Sequence, residues 1–457
     1  MLAARALTGL GGPAGLADRV DRVVVVERDV LPDGPAPRKG LPQARHAHML
    51  WSGGVRAVSD LLPGITEALQ DAGARRTPVT TDMVVLGTRG WFRRWPESHH
   101  VLLAGRDLLD ATIRTRVLTD PRVELLTGTE VLGLVGDTGA ITGVTVRSRD
   151  GDDVRVIEAD LVVDATGRGS RAGLWLVELG LGAVERREVD SGLAYASRLY
   201  LAPEQARSGY PIVNVQPDMR DGEPGRAGFL LPIEDGRWIV TLNGTRGGEP
   251  SPVNDDFVRF AREELRHPVI GELLEQAEPL SDVSYTRATV NRRHFYERMP
   301  AWPANFVVLG DALAAFNPLY GHGLAVAAQS AVILRDVVRR HGWGTPGLSR
   351  RIQKALARPV GTAWDLAVGQ DVFYPGATEK GPTLRDRLVA SYVNRLMHTA
   401  TGNGRIARRV TDVTSLERGP EALLSPSVLV AAALGPLKPA LTGPPLTGDE
   451  LKRAGLR

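Results

Sequence analysis

Apolar residues follow two rhythms along the chain. Val23–Val26 is an unbroken apolar run closed by Glu27 and Arg28, the pattern of a parallel strand buried on both faces. Residues 159–164 and 306–309 repeat it. Residues 107–118 and the Ala-rich 323–341 place apolar side chains three and four apart, which predicts amphipathic helices. The same spacing over 49–62 predicts a helix that stops at Pro63-Gly64. Alternation over 123–126, 131–135 and 144–147 predicts a meander turning at Asp137-Thr138-Gly139, and 83–86 and 90–95 read as further strands. From about 190 to 290 alternation dominates, at 193–201, 228–232, 237–242 and 283–290, broken by a helical stretch at 255–265. Residues 351–366 return to helix, and the Pro/Gly/Ala-rich tail from 419 reads as a surface wrap.

This alternation of buried strands and helices predicts an α/β fold with a Rossmann-like dinucleotide-binding domain drawn from 1–82, 101–189 and 296–345. A mostly antiparallel sheet domain is inserted at 190–295, joined by the strands of 83–100, and 346–457 supplies C-terminal helices and the tail. In such a fold a strand, a Gly-x-Gly-x-x-Gly loop and a helix should precede Val23. Two readings compete. Gly9-Leu10-Gly11-Gly12-Pro13-Ala14-Gly15 is the phosphate loop, although residues 1–8 read as helix and 16–22 is too short for a crossover helix. Alternatively 2–7 is already the crossover helix, and the first strand and Gly-rich loop are missing upstream of Met1. The second reading is preferred.

Composition narrows the chemistry. A chain of 457 residues with 43% hydrophobic content can bury two cores. It has no cysteine, which removes disulfides, thiol catalysis and thiolate ligands and fits a cytoplasmic protein. The net charge of +3 is spread among acids, so nucleic acid is not an expected partner. No apolar run reaches the roughly 20 residues that span a bilayer. There is no Gly-x-Ser-x-Gly elbow and no His-Glu-x-x-His pair, which sets aside serine hydrolases and zincins. His46 and His48 lack a third ligand at useful spacing, so no metal site is expected.

The chemistry concentrates at strand ends. Glu27, closing the valine strand, occupies the usual ribose-binding position of a dinucleotide fold. Gln43 and Arg45 lie in a polar loop beyond it, where a guanidinium can grip phosphate in a bidentate manner. Thr166 and Gly167 follow Asp164 at another strand end, Gly167 permitting close passage of a nucleotide. The richest stretch is Gly310-Asp311-Ala312-Leu313-Ala314-Ala315-Phe316-Asn317-Pro318-Leu319-Tyr320-Gly321-His322-Gly323, running from a strand through a tight loop into the Ala-rich helix. An acid there can bind a ribityl hydroxyl, and Gly321 and Gly323 let the helix start approach a flat ring and stabilise negative charge on it.

That stretch resembles the second flavin motif of the flavoprotein monooxygenases of the aromatic-hydroxylase fold, which reads Gly-Asp-Ala, Pro, Gly-x-Gly. Leu313 stands where a His is common. Four further segments look most like the flavin epoxidases of polyether-antibiotic biosynthesis. They are Arg38-Lys39-Gly40-Leu41-Pro42-Gln43-Ala44-Arg45-His46-Ala47-His48, Val163-Asp164-Ala165-Thr166-Gly167-Arg168-Gly169-Ser170, Glu234-Asp235-Gly236-Arg237-Trp238, and Thr289-Val290-Asn291-Arg292-Arg293. The resemblance implies FAD bound by Gly310, Asp311, Gly321, His322, Gly323 and Leu324, with Arg28 beside Glu27, Arg106 at the phosphates or ribityl chain, and the Val131 backbone at the adenine. Pro318 would pack at the reactive edge of the flavin, with no obligatory acid or base. It further implies NADPH or NADH as a transient reductant and a flavin C4a-hydroperoxide that epoxidises alkenes of a polyene or polyketide, free or carrier-bound. Hydroxylation of an aromatic polyketide is the alternative reaction, and a non-catalytic protein without its phosphate loop the alternative class. The Trp-x-Trp-x-Ile signature of flavin halogenases is absent, Trp238 standing between Arg237 and Ile239.

Overall fold

The computed structural model describes residues 1–10, 20–149, 151, 153–218 and 222–456. Val23–Val26 is a parallel strand as expected, but its partner is Val123–Leu126, with Val23 opposite Val123. The expected meander therefore loses its first strand and keeps Thr129–Gly136 and Ile141–Ser148, and Val154–Glu158, which the sequence reading did not foresee, completes an antiparallel sheet. Short alternation cannot distinguish the two arrangements, because both bury one face of the strand. A second parallel pair joins Val162–Asp164 to Phe306–Val308, and among the described residues the two pairs form separate sheets.

Leu2–Thr8 is helical, as both readings of the N-terminus have it, and buries Ala4, Ala6 and Leu7. Gly11 to Gly15 lie outside the described residues. Gly323–His341 is a helix over the predicted range, with Ala325, Ala328, Ala331, Leu334 and Val338 almost fully buried. Its alanines let neighbouring helices approach closely, and Leu2–Thr8, Ser52–Leu61 and Leu348–Asp371 all pack on it. Residues 49–62 correct the sequence reading, for Met49–Trp51 is a strand paired with His100–Leu103 and the helix begins only at Ser52.

Among the described residues the inserted domain is built on an eight-stranded sheet in which Ala194–Leu201, Arg237–Gly244, Arg226–Pro232, Ile212–Val215 and Met83–Gly87 lie side by side. All of these neighbours are antiparallel except Ile212–Val215 with Met83–Gly87. One face carries Ala196, Tyr200, Val240, Leu242 and Leu230 and packs under helices Asn254–Glu263 and Val269–Leu274. The other carries Leu199, Ile239, Leu231, Ile212 and Met83 and packs against Met49, Trp51, Val101 and Leu103. Residues 283–290 do not form one strand. Ser284–Thr286 pairs with Ala194–Leu201, and the chain then leaves that sheet so that Asn291–His294 can pair with Arg186–Val189 and Ala314–Ala315.

Beyond the long helix, Leu384–Gly402, Gly404–Thr414 and Pro426–Leu434 close a small separate core around Leu396, Ile406 and Val428. The tail from 419 is thus partly helical. Among the described residues no helix is long and apolar enough to cross a membrane.

Candidate functional site

Phe306–Val308 delivers the chain into a tight turn, Gly310–Ala312. Gly310 has φ of +63°, a left-handed conformation that glycine adopts without strain. The chain then runs through Ala314–Ala315 to a second turn, Pro318–Tyr320, and Gly321 at φ +66° lets it enter the helix. A Cβ on Gly321 would come within 3.3 Å of Trp51 Nε1, which donates to the Tyr320 carbonyl at 3.1 Å.

Asp311 keeps partial solvent contact although protein surrounds it, as a side chain lining a concavity does. Burial pushes its carboxyl up, against the pull of Arg168 and Arg106. Arg106 opens helix Arg106–Leu118; burial draws its guanidinium down while Asp110 and Asp311 support the charge, and its buried Nε has no hydrogen-bond partner among the described residues. A Cβ added at Gly310 or Gly167 would meet no atom within 4 Å, so open space lies over both turns. An acceptor facing two guanidiniums, an unpartnered donor and bare backbone suit a phosphorylated ligand with hydroxyls.

Glu27 lies in the same electrostatic neighbourhood but is engaged: its carboxylate accepts from the Asp29 backbone N–H at 3.1 Å and from Arg38 Nη1 at 2.9 Å. The Glu27 carbonyl accepts from Thr129, two residues before Val131, so Val131 lies close to the end of the valine strand. Arg28, Gln43 and Arg45 are exposed, the latter two on the turn Pro42–Arg45. Thr166 is exposed and donates through its amide and hydroxyl to Asp164, which also accepts from the Ser170 hydroxyl at 2.6 Å. Pro318 is exposed and Leu324 half-buried. The His322 side chain turns away from this group, Nε2 lying 2.9 Å from the Thr414 carbonyl, and burial lowers its pKa to about 4.

Several residues without an expected role hold the loop. Arg168 donates to the Phe316 carbonyl at 2.6 Å and to the Val290 carbonyl at 2.9 Å, and Arg292 in turn donates to the Arg168 carbonyl. Asn317 lies at the centre of a buried network. Its amide donates to Asp371 at 2.9 Å, its backbone N–H to Asn291 at 2.7 Å, and its side-chain oxygen accepts from the Tyr195 hydroxyl at 3.2 Å. Asn291 also donates to Asp371, at 2.7 Å. Tyr195 belongs to the eight-stranded sheet, so the sheet face bearing Leu199 and Ile239 meets the Asn317–Gly321 loop. Arg168, Asn291 and Asn317 lie inside segments that the sequence singles out, whereas nothing in the sequence marks Asp371 or Tyr195.

No protein-family model matches the chain. It is 29% identical to Protein Rv3254 of Mycobacterium tuberculosis over 401 residues, 82% of this chain and 81% of that protein. It is 26% identical to kynurenine 3-monooxygenase of Salinispora tropica, over 69% of this chain and 68% of that enzyme. Among solved structures, the flavin-dependent brominase Bmp2 superposes with a TM-score of 0.64 over 95% of this chain and 96% of its own, at 14% identity. That likeness is one of architecture: this chain has the mixed α/β fold of flavin-dependent enzymes.

Proposed function

We propose that the chain is a FAD-dependent monooxygenase that transfers one atom of dioxygen to an apolar polyketide, with NADPH or NADH as transient electron donor. The observation that carries this reading is Asp311: a carboxylate at a glycine turn, facing Arg106 and Arg168, at the mouth of the Gly323–His341 helix. Asp311 would accept from ribityl hydroxyls, with Gly310 beneath them. Arg106, Arg45 and Gln43 would meet the pyrophosphate, Glu27 and Arg28 the adenosine ribose, and the Val131 backbone the adenine. Gly321, His322, Gly323 and Leu324 would present backbone to the pyrimidine end of the ring, and Pro318 its reactive edge. The reductant would pass along Arg45 and Gly167, and Thr166 would contact the cofactor beside Gly167.

FAD, when bound, supplies electron transfer and oxygen activation. In the balanced reaction NAD(P)H and a proton reduce one oxygen atom to water while the other enters the substrate. The protein's share is to hold the ring, to keep water away with the apolar sheet face, and to aim backbone donors at developing charge. Epoxidation of an alkene is the first reading of the transfer, supported by the segments from Arg38 to Arg293 that resemble polyether epoxidases. Hydroxylation of an aromatic ring is the second, favoured by the name of the Salinispora relative.

Purified chain given FAD should turn yellow, absorbing at about 450 nm as oxidised flavins do. Asp311→Ala should weaken FAD binding by about 10- to 100-fold, the worth of hydrogen bonds to a charged group. With NAD(P)H and an alkene analogue, an epoxide or its diol supports the first reading and a phenol from an aromatic probe the second. A colourless chain that takes up no FAD overturns both.

A further inference from the structure

His46 has no part in the cofactor contacts proposed above, yet its ring is firmly held. Ser197 and Thr241 are directly opposite on neighbouring strands, both buried, their hydroxyl oxygens 2.6 Å apart. The Ala47 backbone N–H donates to Thr241 Oγ1 at 3.0 Å, and Ser197 Oγ lies 2.8 Å from His46 Nδ1. A backbone N–H can only give a proton, so Thr241 accepts there. For each buried hydroxyl to place its own proton, Thr241 must donate to Ser197 and Ser197 to Nδ1 of His46; the reverse order leaves the Thr241 proton with no acceptor in this chain of contacts. Nδ1 therefore accepts. Burial, with help from Arg45, lowers the ring's pKa to about 4, so the imidazole is neutral at neutral pH and carries its one proton on Nε2. Nε2 makes no hydrogen bond to a described residue.

A second observation lies on the same sheet face. Tyr195, which meets His46 edge-on with ring centres 6.0 Å apart, is directly opposite Asn243. Thr241 is opposite Phe229, and Phe229 opposite Asn214. Residues opposite in register point to one face. Asn243 is 1% exposed and Asn214 3%, and the Asn243 Nδ2 and Asn214 Oδ1 atoms have no hydrogen-bond partner among the described residues. Around this polar strip the face is apolar, through Leu199, Ile239 and Leu231, with Met49 packed against it. Unpaired amides in such surroundings are costly unless something pairs with them.

We propose that this strip is an oxygen-reading subsite: His46 Nε2–H and the Asn243 amide donate to a ketone, ether or ester oxygen on an otherwise apolar skeleton, and Asn214 takes a hydroxyl. It rests on the oxygenase reading only for what happens to the molecule afterwards. His46 is a specificity-determining residue that orients the skeleton across the Asn317–Gly321 loop, and Ser197 and Thr241 are positioning residues that select its tautomer.

The test uses purified full-length chain without reductant, so that no turnover intervenes, and two matched probes, 1-tetralone and its carbonyl-free counterpart tetralin. The ketone should bind about tenfold more tightly, the worth of one hydrogen bond. His46→Leu should abolish that preference, and Ser197→Ala, which frees Nδ1, should reduce it. Nitrogen-15 spectra of the unsubstituted protein should show His46 protonated at Nε2, as the hydrogen-bond chain through Ser197 and Thr241 requires. Equal affinity for the two probes, or a proton found on Nδ1, overturns the subsite. FAD uptake, measured separately on the same preparation, reports on the oxygenase reading alone.

Discussion

Asp371 is 2% exposed near the end of the Leu348–Asp371 helix and accepts from the side chains of both Asn291 and Asn317. Burial pushes its carboxyl up in spite of those bonds. Asp371→Ala should strand two buried amides at about 1–3 kcal/mol each, lowering the free energy of unfolding in urea and loosening the Asn317 loop. Asp371→Asn, which keeps one acceptor and the shape, should lose clearly less; equal losses would place the damage in packing instead. Asp311 is legible in the sequence because strand end, glycine and acid are contiguous there. Asp371 is not, since its partners lie 54 and 80 residues away and meet it only after the sheets have assembled. Arg168 fails for the same reason: its acceptors, Phe316 and Val290, come from other parts of the chain.

Among the elements, the turn at Gly321 makes the sharpest demand. Gly321→Ala places a side chain at φ +66° and a methyl 3.3 Å from Trp51 Nε1. The left-handed backbone alone costs about 1–2 kcal/mol, and displacing Trp51 adds the loss of its bond to Tyr320. Chemical unfolding should show at least that deficit, and FAD affinity should fall with it. Gly323→Ala, whose Cβ would sit 3.7 Å from Asp311 Oδ1 in helical backbone, should be mild by comparison. Long periodic elements such as Gly323–His341 are plain in the sequence, because a repeated apolar face has few alternative structures. Met49–Trp51 is not, since three apolar residues before a helix fit its first turn as well as a strand, and only the neighbouring His100–Leu103 decides between them.

The molecule as a whole encloses histidines in their neutral form: burial brings His322 and His46 to about 4 and His48 to about 3. An unfolded histidine near 6.5 takes up a proton that the folded one refuses, so this contribution to stability is present above pH 6.5 and is lost as pH falls towards 4. For His322 alone the full loss is about 3 kcal/mol. Unfolding free energies at pH 7 and pH 4.5 should differ less in His322→Gln than in the parent protein, and an unchanged difference would clear His322 of the effect. The division into a nucleotide-type α/β part and an inserted sheet is visible in the change of apolar rhythm. How the two parts meet is not, because it depends on which of two alternating sheet faces turns inward.

That meeting has a thermodynamic corollary. Tyr195 hangs from the sheet while its hydroxyl reaches Asn317, one residue from Pro318, so a single phenol belongs both to the sheet and to the Asn317–Gly321 loop. A molecule settling on the sheet that strengthens or weakens this bond alters the affinity of whatever rests on the loop, and by reciprocity the second occupant alters the first by an equal factor. Tyr195→Phe, which removes that bond, should weaken any such coupling by the share the bond carries.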